Sequence, residues 1–145
     1  MTKVERADLV GQLVAKWLKR YDLTGITITT KEQKVVADSP AVVAQIVPDP
    51  DYLRATLLYA ANIETEDANH VICHEMAHLI LNQIGEWVCE IEHHVDTAVR
   101  DVQQRWWFHA QEQTTEKIAR LMLEAERMEQ AMLDFKKWEA ESAGS

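Results

Sequence analysis

Apolar residues recur along this chain with two different periods. Leu9, Val10, Leu13, Val14, Trp17 and Leu18 fall three and four apart between residues 4 and 20, and the segment ends on Lys19-Arg20, cations suited to the negative end of a helix dipole. The spacing predicts an amphipathic helix. After a turn at Leu23-Thr24-Gly25, Ile26-Thr27-Ile28-Thr29-Thr30 alternates with period two and is β-branched, the pattern of a half-buried strand. Lys31 to Ser39 is polar and without period, a loop or a short helical turn. All three prolines lie between residues 40 and 50. Ala41 to Val47 therefore reads as a strand bounded by Pro40 and by a Pro48-Asp49-Pro50-Asp51 turn, and Tyr52 to Ala60 as the strand that closes the hairpin. Together these predict a small, mainly antiparallel sheet of three strands.

The second half of the chain is helical in pattern. Thr65 can cap a helix, and Glu66 and Asp67 suit its positive end. That helix is expected from Glu66 to Asn82, with Gly85 as its stop. From Glu86 to Trp138 there is no Gly or Pro, enough for a glutamate-bearing helix followed by a long C-terminal one. Ile118, Leu121, Ala125, Met128, Met132 and Phe135 alternate spacings of three and four, a heptad-like seam. The expected fold is α+β, with one domain over residues 1–108 and a helical extension over 109–145 that packs on the domain or on a second copy.

Within the expected helix stands Val71-Ile72-Cys73-His74-Glu75-Met76-Ala77-His78-Leu79-Ile80. Residues four apart share a helical face, so His74 and His78 can direct ring nitrogens at one metal ion, with Glu75 about 100° further round. Ala68, Ile72, Cys73, Met76, Leu79 and Ile80 gather on the opposite side and should pack. A catalytic zinc takes three protein ligands and keeps a fourth position open, so a third is needed. Glu86, Glu90, Glu92, His93, His94 and Asp96 are candidates. With Glu92 as origin, Val88, Val95, Val99, Val102 and Asp96 all fall within about 80°, so Glu92 interrupts an apolar inward stripe and would need a partner there. Glu90 points with His94, Thr97 and Asp101 to the wet face. Asp96, one turn after Glu92, could hold a ligand histidine by its other ring nitrogen.

The pattern of Val71 to Ile80, followed by Glu92-x-x-x-Asp96, resembles the gluzincin metallopeptidases, and the element order resembles their minimal single-domain members, the minigluzincins, over residues 5 to 105. The resemblance implies one zinc ion per chain held by His74, His78 and Glu92, with Glu75 as general base and Asp96 supporting a ligand. It also implies that the strand at Ala41 to Val47 aligns a peptide by strand addition. The gap from His78 to Glu92 is short for that family, and no residue matches its oxyanion-stabilising His or Tyr; His93, His94 and His109 remain unranked candidates. Metzincins would carry a Gly and a third His where Leu81 and Ile84 stand, which excludes them. SprT-like proteases use a later third His, and His93 and His94 lie off the stripe.

Composition narrows the rest. A net charge of −9 over 145 residues argues against nucleic acid as partner, because phosphate binding rests on Lys and Arg. Only Cys73 and Cys89 occur, so no disulfide framework is implied, and no apolar run suits a signal core or a membrane span. The expectation is a cytoplasmic zinc endopeptidase acting on peptide or protein substrates, away from membranes. A zinc-containing recognition module with little or no proteolysis is the alternative. The C-terminal seam could join two copies, or its Met, Phe and Trp138 side chains could cover the cleft as a latent clasp. Trp106-Trp107-Phe108 reads as core or dimer contact rather than a base-stacking platform.

Overall fold

Helix α1 spans Lys3–Arg20 and begins with a reciprocal cap: Glu5 N donates to Thr2 Oγ1, and Thr2 N donates to Glu5 Oε2 at 2.6 Å. It closes through Asp22, whose φ of 56° lets Leu23 N reach back to the Leu18 carbonyl at 2.8 Å. Asp22 thus occupies the left-handed position more often given to glycine. This computed structural model describes residues 1–49, 53–92, 94 and 96–143, without the side chains of residues 83, 84, 86, 87, 89, 91, 92 and 98. The expected Pro50-Asp51 part of the hairpin turn lies outside the described residues.

The strands are β1 (Thr27–Gln33), β2 (Ala44–Asp49) and β3 (Arg54–Ala60), in the order β1-β3-β2. β2 and β3 form the expected antiparallel hairpin, but β1 pairs with β3 in parallel, so the sheet is mixed rather than mainly antiparallel. The segment after β1 carries the chain across to the far edge before the hairpin brings β3 back into the middle. Alternate burial along β2 and β3 leaves one face for the helices. There Trp17 of α1, Leu57 of β3 and Ile72 and Met76 of the next helix are fully buried in one core.

That next helix, α2, runs over Thr65–Glu92, and α3 over Thr97–Ala143. Gly85 does not end α2. No described glycine has a positive φ, and a Cβ at Gly85 would lie 3.7 Å from Cζ2 of Trp107, so this position instead gives room to the returning helix. The two helices form an antiparallel hairpin in which Gly85 faces Trp107, His78 faces Thr115, Cys73 faces Ala119 and Asn69 faces Glu126. α3 passes unbroken through residues 108 and 109. Ala119 is fully buried where it approaches Cys73. Ala119→Leu would drive three extra carbons into that contact and should destabilise the protein by about 1–3 kcal/mol, read as a lower urea midpoint at unchanged slope.

Beyond Glu129 the last turns of α3 stand clear of the domain. Leu121, Met128, Met132, Phe135 and Trp138 of the expected seam are all more than half exposed, so in this structure they do not clasp the cleft. No described helix is long and apolar enough to cross a membrane.

Candidate metal centre

Three side chains from two helices converge. His74 Nε2 and His78 Nε2 lie 3.2 Å apart, Glu112 Oε2 lies 3.5 Å from His74 Nε2, and Glu112 Oε1 lies 3.3 Å from His78 Nε2. Tetrahedral donors at zinc bond lengths of about 2.0–2.1 Å are separated by roughly 3.3–3.4 Å. These separations are close to the edges of one face of such a site, with Glu112 meeting the two rings through different carboxylate oxygens. Among the described residues this is the group with metal-ligand spacing.

The outer ring nitrogens are held as well. His74 Nδ1 lies 3.2 Å from Glu116 Oε2, and His78 Nδ1 lies 3.4 Å from Thr115 Oγ1. With each Nδ1–H donated to oxygen, each Nε2 presents a lone pair, and both lone pairs face a carboxylate. One proton can reconcile one pair of these atoms; a divalent cation reconciles all three. Two imidazoles and one carboxylate are the donor set of catalytic zinc, with one position left open. The residues present fit that ion.

α3 supplies the oxygen-bearing half from a single face, as the carboxylates of Glu112 and Glu116 and the hydroxyl of Thr115. Its axial position is set by a polar cluster on α1 and α2: Asn69 accepts from Lys16 Nζ and Trp17 Nε1 and donates to Glu126, while Arg20 pairs with Glu129 at 2.7 Å. Burial alone would raise the Glu116 carboxyl, but hydrogen bonds from Arg120, His74 and His70 outweigh it and hold it below the usual carboxylate range. Burial lowers His78, favouring the neutral ring a metal requires. Cys73, on the packed side of α2, has its thiol pushed up to about 11 by burial and meets the Tyr21 hydroxyl at 3.2 Å.

Glu75 sits between the histidines and the sheet. Its Oε2 accepts the Ile46 N–H at 2.7 Å, and burial, the dominant effect, pushes its carboxyl from 4.5 up to about 7. Between those values the unfolded chain has lost this proton while the folded protein keeps it. The group's contribution to stability therefore falls as pH rises from about 4.5 through about 7. Metal-free wild type should lose stability relative to Glu75→Gln across that interval, whereas His78 affects both proteins alike. Urea midpoints that shift in parallel would show that the carboxyl is not raised.

β2 is the sheet edge beside this group. Because Ile46 N–H points away from β3, two-residue alternation turns the main-chain groups of Ala44 and the carbonyls of Ile46 and Pro48 the same way. Two hollows follow this edge and share Val42, Ala44 and Glu75. One, of about 490 Å³, extends past His78 and Glu112 to Phe108; the other, of about 270 Å³, extends past His74 to His70 and Val71.

The residues expected at the site divide. His74 and His78 meet, with Glu75 alongside. Glu92 closes α2, on the same helix as His78 and fourteen residues on, roughly 21 Å along the axis by rise alone. Its side chain lies outside the described residues, as does His93. Asp96 and His94 are exposed near the turn into α3, and His109 is exposed and bonded to Gln113. Val99 and Val102, part of the stripe that singled out Glu92, are about half exposed or more. That stripe runs over the end of one helix and the start of another. Glu112, Thr115 and Glu116 were missed, although they share one face with buried Ala119. Compared with models of known protein families, with curated proteins and with solved structures, the chain matches none.

Proposed function

We propose that the protein is a zinc-dependent endopeptidase in which His74, His78 and Glu112 hold the metal and Glu75 is the general base. The observation that carries this reading is the His74–His78–Glu112 triangle with Glu75 beside it on a groove that continues in both directions along an unpaired strand edge. An extended peptide added to the outer edge of β2 would cross the metal group with chain to spare on either side, which is the requirement for internal cleavage.

Bound zinc would supply Lewis acidity, polarising the scissile carbonyl and acidifying water. The protein's own residues do the rest. Glu75 keeps Oε2 on Ile46 N–H, which fixes the carboxylate plane and leaves Oε1 to receive a proton and pass it to the departing amine. Glu116 and Thr115 fix the tautomer and orientation of the two imidazoles, and Glu116 also carries His70 and Arg120.

Zinc analysis together with a broad peptide-library digest tests the reading. One zinc per chain with cleavage at internal bonds is expected. Stoichiometric zinc with every peptide intact would leave a recognition module instead. Glu116→Ala should weaken zinc binding by about 10–100-fold in competition with a chelator, since it removes the oxygen that orients His74. Unchanged affinity would assign Glu116 to the His70 and Arg120 contacts alone.

A further inference from the structure

We infer that the larger hollow is a subsite for one uncharged, apolar side chain of the bound peptide, with Phe108 as its selectivity-determining wall; this rests on the peptidase reading above. The hollow opens directly beside His78 and Glu112 and is walled by Ile46 and Pro48 from β2, Leu79 from α2 and Phe108 from α3. Phe108 lies one helical turn before Glu112, so the helix that completes the metal triangle also carries this wall. Phe108 is 65% exposed. An aromatic ring left open to water at the rim of a reactive groove gains most from covering by another apolar group.

Charge argues the same way. Among the described residues no Lys or Arg lines the hollow, so an acidic side chain would meet Glu75 and Glu112 with only His78 and the neutral amides of Gln45, Asn82 and Gln111 to offset them. A basic side chain fares little better. Glu112 is turned toward the two imidazoles, and Glu75 is buried with one oxygen on Ile46 N–H and the other needed for proton transfer, so a cation paired there would compete with the site itself. What remains for the side chain is aliphatic and aromatic surface, with neutral amides such as Gln45 and Gln111 at the margin.

The test uses the full chain loaded with zinc and a set of peptidyl hydroxamates differing in one side chain next to the metal-binding group: methyl, isobutyl, benzyl, carboxymethyl or aminobutyl. Isobutyl and benzyl probes should bind at least about tenfold more tightly than the two charged ones by calorimetry. Phe108→Ala should reduce the benzyl probe's advantage by about tenfold and leave the methyl probe within about twofold, while Phe108→Leu recovers most of the loss. Tight binding with the carboxymethyl or aminobutyl probe equal or preferred would overturn the subsite and leave the peptidase reading intact. An unchanged benzyl advantage in Phe108→Ala would remove Phe108 from the wall. If zinc-loaded protein binds no hydroxamate, the peptidase reading fails and the subsite with it.

Discussion

Glu75→Gln should lower kcat/KM for peptide cleavage by about 10²–10⁴-fold while zinc content stays near one ion per chain. The substitution suits the question because the amide oxygen can still accept from Ile46 N–H, so the edge strand keeps its tether and the buried site loses only the ability to take a proton. It also removes the ionisable group whose carboxyl lies near 7, which makes the folded protein less sensitive to pH. Activity retained within a few-fold would refute the base assignment. A parallel loss of zinc would instead point to collapse of the site.

Glu112→Ala should reduce zinc affinity by about 100-fold or more, beyond the range expected for an orienting group, because it removes one of three donors and leaves the two imidazoles alone. Glu92→Ala, made alongside, should change affinity by less than about twofold, the small change expected at a position fourteen residues along the same helix from His78. The pair is decisive because each carboxylate has an acidic residue four positions later, Asp96 after Glu92 and Glu116 after Glu112, and so presents the same pattern on paper. Chelator competition followed by metal analysis reads both variants. The reverse ranking would mean that α2 breaks near Gly85 when metal binds.

Much of this arrangement could be read from residue order. The period of α1, the alternation in the strands and the four-residue spacing of His74 and His78 are local signals, and local geometry answers to them, whereas Pro48 and Asp49, expected in the turn, instead pair with Ala55 and Arg54 inside the hairpin. The third member of the triangle is not local. It depends on where the chain turns back, and that depends on whether Gly85 ends α2. Gly85 was expected as a stop because glycine often takes the left-handed closing position, but here it gives Trp107 an approach and the helix continues to Glu92. Each further turn of α2 moves the return point outward, so the residue that comes back level with His78 falls later in the chain. Counting apolar positions on α3 then favoured the Ile118-Leu121-Ala125 seam. The face that packs lies beside it and carries Glu112, Thr115, Ala119 and Glu126, a mixture of carboxylates and small residues that a hydrophobicity pattern passes over.

The division of the triangle between α2 and α3 also fixes the earliest point in synthesis at which all three side chains can meet. The histidine pair is made 34 residues before Glu112, and helix α3 must fold back against α2 before a metal could be gripped from three directions. A nascent or clipped chain ending before Glu112 would still display His-Glu-x-x-His yet lack the carboxylate that completes the triangle. On the proposed reading, hydrolysis would thereby wait on residue 112 and on the return of α3.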